Sequence, residues 1–139
     1  VNNIARLTAA GAVDPAFTAA AGGGFNGTVI AMIGQPDDKL IAGGSFTSFN
    51  GTAVNRLVRL AADGTIDTSY KLGAGFNGTI NALVPQADGK VVVGGSFTSF
   101  NGTSITRIAR LLSDGTLDPG FIPGRGFNTS VTALALAAD

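Results

Sequence analysis

Apolar residues fall in short runs along this chain, and Gly, Asn-Gly and Asp-Gly cut the runs at nearly regular intervals. Residues 79–85 (TINALVP) form one such run, matched by 28–34 and 130–136. A turn at 87–90 (ADGK) follows. Asp-Gly between apolar runs predicts a hairpin, because Gly takes a positive φ without a Cβ clash. A second strand is predicted from Val91 onward (VVVGGSF), with 40–46 (LIAGGSF) as its counterpart. Asn101-Gly102 then turns the chain into a third strand within 105–112. Asp114-Gly115 turns it again, into a short fourth strand around 116–121. Helical periodicity is absent, and Gly recurs too often for long helices.

The same order of elements returns because the sequence itself repeats. GGSFTSFNGT stands unchanged at 43–52 and at 94–103. Residues 28–70 align without a gap on 79–121, an offset of 51, while residues 1–17 align on 54–70 at an offset of 53. The divisions are a partial copy at 1–27, full copies at 28–78 and 79–129, and a partial copy at 130–139. No linker separates them. Four antiparallel strands per copy of about 50 residues is the size of a propeller blade. The predicted fold is therefore all-β, an incomplete β-propeller of roughly 2.7 repeats. Ala31, Ala82 and Ala133 share one place in the first strand, where converging blades leave room only for small side chains. The paired glycines would admit a neighbouring blade or a bulge. Phe46, Phe97, Phe49 and Phe100 would supply blade-to-blade packing.

Composition narrows the chemistry. Hydrophobic residues make up 45% and charged residues 13%, so the chain can bury a core and is not disordered. Net charge is zero with no basic run, which removes the electrostatic signature of a nucleic-acid binder. The absence of Cys and His removes the usual zinc, copper, haem and iron–sulfur ligands, and the triads built on them. No cofactor is expected. No apolar run reaches the roughly 18 residues that would span a membrane. The opening VNNIARLTAAG lacks Met and has no signal-peptide layout, as expected of a start inside a longer protein.

GGSFTSFNGT, RIARL, SDGTLD and GFNGTINAL, recurring about every 50 residues, closely resemble the bacterial delta-60 repeat. The resemblance covers essentially the whole chain. It implies a propeller-like repeat of large secreted or surface proteins, and hence an extracellular or cell-surface location. It carries over no catalytic residues. The pattern is broken where Ala10 replaces the Asp of Asp63-Gly64 and Asp114-Gly115, and, in the following copy, where Asp38 replaces Gly89.

Four sets of residues could carry chemistry. Asp-Gly-Thr-x-Asp, at 63–67 and 114–118, could offer oxygen ligands to Ca²⁺. The ligand count is incomplete, and an Asp-capped turn is preferred, so no metal site is assigned. Arg6, Arg59 and Arg110 pair in sequence with Asp14, Asp67 and Asp118; an ion pair within each blade is preferred to a ring of Arg for anions. Asn26, Asn50, Asn77, Asn101 and Asn128 each open a glycosylation sequon, but four are Asn-Gly and read better as turns. The loop at 18–24, 71–75 and 122–126 differs between copies (TAAAGGG, KLGAG, IPGRG), and its only charges, Lys71 and Arg125, are the candidate ligand-facing residues.

The expected function is a non-enzymatic binding or adhesion scaffold. An architectural subunit of a surface filament, or of a propeller assembled from several chains, is the second reading. A polysaccharide-active hydrolase or lyase is the third; it would need acids converging near the axis, and the first strands offer none. Expected partners are other blades, of the same or a neighbouring chain, and a glycan or protein ligand.

Overall fold

The computed structural model describes residues 3–138; Val1, Asn2 and Asp139, at the edges of the two partial copies, lie outside the described residues. In copy two, β1 (Val29–Gly34) and β2 (Leu40–Gly44) pair antiparallel, a small ribbon of β3 (Ser48–Phe49) and β4 (Thr52–Ala53) follows, and β5 (Leu57–Leu60) returns to β2. Copy three repeats this arrangement with β6 (Ile80–Pro85), β7 (Val91–Gly95), β8 (Ser99–Phe100), β9 (Thr103–Ser104) and β10 (Ile108–Leu111). The two main sheets are ordered β1-β2-β5 and β6-β7-β10. These are blades of a propeller, incomplete as an array, as the repeat led us to expect.

The sheets stack face to face, and strand alternation decides which residue meets which neighbour. Ile41 and Leu57 of the first blade belong to the buried cluster of the second, with Val91, Val93, Phe97 and Leu111. Ala42, Val58 and Leu60 point the other way, onto Phe17 and Ala21 of copy one. One blade therefore lends a face to each adjoining core.

The two adjacent glycines at the end of the second strand do different work. A Cβ on Gly43 would stand 2.6 Å from Ile80 Cγ2 of the next blade, and one on Gly94 would stand 2.7 Å from Val131 Cγ1. A Cβ on Gly44 would strike Thr28 O at 2.0 Å, in its own blade. Gly43 thus permits blade approach, while Gly44 permits the register shift between Val29 and Ala31.

Four elements differ from the reading of the sequence. The fourth strand is only a bridge, Leu60 to Ile66 in one blade and Leu111 to Leu117 in the next. The cause is Asp67 and Asp118, whose carboxylates accept from the N–H two residues on and turn the chain away from the sheet. The third strand lies within its expected range but starts late, because Arg56 and Arg107 adopt φ of 71° and 68° just before β5 and β10. Loop 18–24 lies largely in a helix, α1 (Pro15–Ala21). Asp14 caps it through the N–H groups of Ala16 and Phe17, Pro15 fits its first turn, and the Ala run sustains it. The other copies carry Gly or Pro there and make no helix. Residues 130–136, matched in sequence to β1 and β6, form no strand among the described residues.

Candidate functional site

The residues that recur most faithfully converge where one blade meets the next. Arg59 donates from Nε to Asp67 at 2.9 Å, which ties the third strand to the bridge position. Its guanidinium lies 4.2 Å from the ring centre of Tyr70, and Nη1 crosses to the next blade to reach Ser113 O at 3.1 Å. Lys39 completes the group at 3.0 Å from Asp67. Arg6 repeats this with Asp14, the ring of Phe17 and the carbonyl of Ala62. Arg110 repeats it with Asp118 and Phe121, with Lys90 at 3.7 Å from Asp118.

The Asp-Gly turn of the following blade seats on this group. A Cβ on Gly64 would lie 2.9 Å from the Phe17 ring, and one on Gly115 equally close to Tyr70. These glycines are required by contact with the preceding blade as well as by their φ of 95° and 90°. Asp63 and Asp114 turn inward, each accepting from the amide and hydroxyl of Thr65 or Thr116. The two carboxylates of each Asp-Gly-Thr-x-Asp motif therefore serve separate turns. Among the described residues, no group of three or more Asp, Glu, His or Cys could hold a metal ion.

Every carboxylate in this network is held below the ordinary Asp range. For Asp67 the leading cause is the Ser69 hydroxyl, with Lys39 and Arg59 adding to it. For Asp118 it is the Gly120 amide, and for Asp14 the Arg6 guanidinium. Burial acts the opposite way on Tyr70 and pushes its phenol up to about 12.

A second junction is aromatic. Phe25 packs on Phe46 and Phe49 with ring centres 4.4 and 4.7 Å apart, and Phe76 packs on Phe97 and Phe100 at 4.6 and 4.7 Å. The sequon asparagines lace the same place. Asn26 accepts from the amides of Thr47 and Ser48, and Asn77 from those of Thr98 and Ser99. Asn50 and Asn101 are the ones that turn the chain, with φ of 46° and 47°. Gly27 and Gly78 follow their Asn for another reason, since a Cβ there would press on the backbone of Phe46 or Phe97.

Asn3, Arg56 and Arg107 went unnoticed in the sequence. All three occupy one repeat position and all have positive φ. Arg56 donates to Ser45 O and Arg107 to Ser96 O, while Asn3 donates to the carbonyls of Phe25 and Gly27. Only the register of the repeat could have pointed to them, because Arg carries no turn signal of its own.

Lys71 and Arg125 are not brought together. Lys71 is exposed but engaged: its amide donates to Asp114 O at 2.7 Å, and Nζ lies 3.8 Å from the Asp114 carboxylate. Arg125 is exposed at a different point of its loop.

The family model for a domain of unknown function (DUF5122), described as a β-propeller, matches residues 35–70 and 86–121, together just over half of the chain. Each match runs from the turn before the second strand to the aromatic residue under the Arg. No curated protein and no solved structure matches the chain.

Proposed function

Since the chain belongs to the DUF5122 β-propeller family, we propose that it is a non-enzymatic binding and adhesion scaffold of the delta-60 type, carried by a bacterial secreted or cell-surface protein. The supporting observation is how its residues are spent. Side chains that recur between copies are engaged in blade contacts: Arg with Asp and an aromatic ring, Phe with Phe, Asn with backbone. What differs between copies is the exposed loop that carries Lys71 or Arg125. A scaffold that fixes its frame and varies one loop is built to present that loop.

Glycan and peptide arrays probed with the chain test this, with Lys71→Ala and Arg125→Ala as paired variants. Saturable binding lost in either variant is the expected result. Turnover of a polysaccharide, or binding indifferent to both variants, would overturn it.

A further inference from the structure

We infer that the cleft where the blade of β5 meets the blade of β6, β7 and β10 is a seat for the uronate units of an acidic polysaccharide, with Arg56 taking the carboxylate. The inference deepens the proposed function and rests on it, because loop 71–75 forms one wall of the cleft.

The cleft holds about 330 Å³ and is lined by Asn55 and Arg56 ahead of β5, by Ala74, Phe76 and Asn77, and by Ser99 of the next copy. Its walls are already fixed. Asn55 donates from Nδ2 to Ala74 O at 2.8 Å, and its carbonyl accepts from the Phe76 amide at 3.3 Å. Asn77 accepts from the Ser99 amide at 2.9 Å. A seat held in this way does not have to be ordered by its ligand.

The first pointer to the ligand is a cation that nothing neutralises. Lys39, Arg59, Lys71, Lys90 and Arg110 each lie within 3.8 Å of a carboxylate. Arg56 is half-buried and has no carboxylate partner among the described residues. Its φ of 71° suits Asn better than Arg, and Asn3 holds the same place in copy one. Arg at such a position is kept for its side chain and not for the turn. Nη1 is anchored on Ser45 O, which leaves the Nε and Nη2 edge of the fork for an incoming carboxylate.

The second pointer is a pair of open acceptors. In copy one, Asn3 donates across the junction to Phe25 O at 3.3 Å and Gly27 O at 3.2 Å. Phe76 and Gly78 are their counterparts, but Arg56 turns back to its own blade. Among the described residues no side chain takes the place of Asn3 on those two carbonyls. The cleft therefore asks for a carboxylate with hydroxyl donors beside it. A uronate carries both on one ring. An acidic peptide carries its carboxylates on flexible side chains and its N–H donors along the backbone, a poorer match to one compact cleft.

Calorimetry of the chain with oligogalacturonate, its methyl ester and oligoglutamate tests this. We expect saturable binding of the oligogalacturonate that weakens as salt is added. The methyl ester keeps the ring hydroxyls and loses the charge, and should bind at least about tenfold more weakly. Arg56→Asn should cause a similar loss without lowering the melting temperature much, since Asn holds this turn in copy one. Lys71→Ala, at the head of the loop wall, should weaken binding as well. No binding of oligogalacturonate would overturn the proposal, and so would equal binding of the ester, of oligoglutamate, or by the Arg56→Asn chain. Glycan binding lost in Lys71→Ala but kept in Arg56→Asn would overturn it while leaving the proposed function standing.

Discussion

Tyr70 stands where the other copies place Phe17 and Phe121, and its hydroxyl is buried without a hydrogen-bond partner among the described residues. A buried hydroxyl left unpaired costs roughly 1–3 kcal/mol, offset here in part by the retained ring. Tyr70→Phe should therefore leave stability unchanged or raise it by about 1 kcal/mol, read from denaturant midpoints. Tyr70 is the chain's single tyrosine, so phenolate absorbance reports it alone. Ionisation near 12 is expected in the folded chain, against about 10 when unfolded. A folded pKa that is raised contributes stability that is complete below about pH 10 and lost towards pH 12. Tyr70→Phe should abolish that alkaline loss. The carboxylates carry the opposite sign: their folded pKa values are depressed, so the unfolded chain takes up protons first as pH falls. Melting temperature should accordingly hold level down to about pH 4 and drop below it. A melt unchanged at pH 2 would refute this account of the Asp network. At this scale the sequence revealed partners that recur at fixed spacing, such as Arg59 and Asp67. It concealed Arg56, whose left-handed backbone is imposed by pairing with Phe46 O and Gly44 rather than by its own preference.

Strand ends, more than strand centres, decide how the elements meet. Gly43 faces Ile80 across the blade gap, so adding a methyl group there overfills a packed interface. Gly43→Ala should cost about 1–3 kcal/mol. Gly34→Ala, with no atom near its Cβ, should be neutral within about 0.5 kcal/mol. Equal effects at the two sites would mean that the blades do not touch as described. The strands themselves were legible, because apolar alternation and Asp-Gly turns are local signals. The fourth position was not. Its residues have strand chemistry, but a side-chain hydrogen bond from Asp67 or Asp118 bends the chain after one bridge. α1 was missed for a related reason: the Asp14 cap is common to all copies, and only the Ala run after it decides between helix and loop.

Across the whole molecule, the repeat gave both the architecture and the place of the blade junctions. It could not show that the junctions are shared cores. Because Ile41 and Leu57 of one blade are buried among Val91, Val93 and Phe97 of the next, neither blade owns a complete core. Repeat arrays gain much of their stability from such nearest-neighbour terms. Phe97 is fully buried at this junction, and Phe97→Ala should cost about 3–5 kcal/mol. If the blades open as one unit, that cost must appear in both. Amide exchange at Ala42 in β2 should then accelerate by about two to four orders of magnitude, together with Val93 in β7, although β2 lies in the other blade. Acceleration confined to β6, β7 and β10 would instead mean that each blade opens alone.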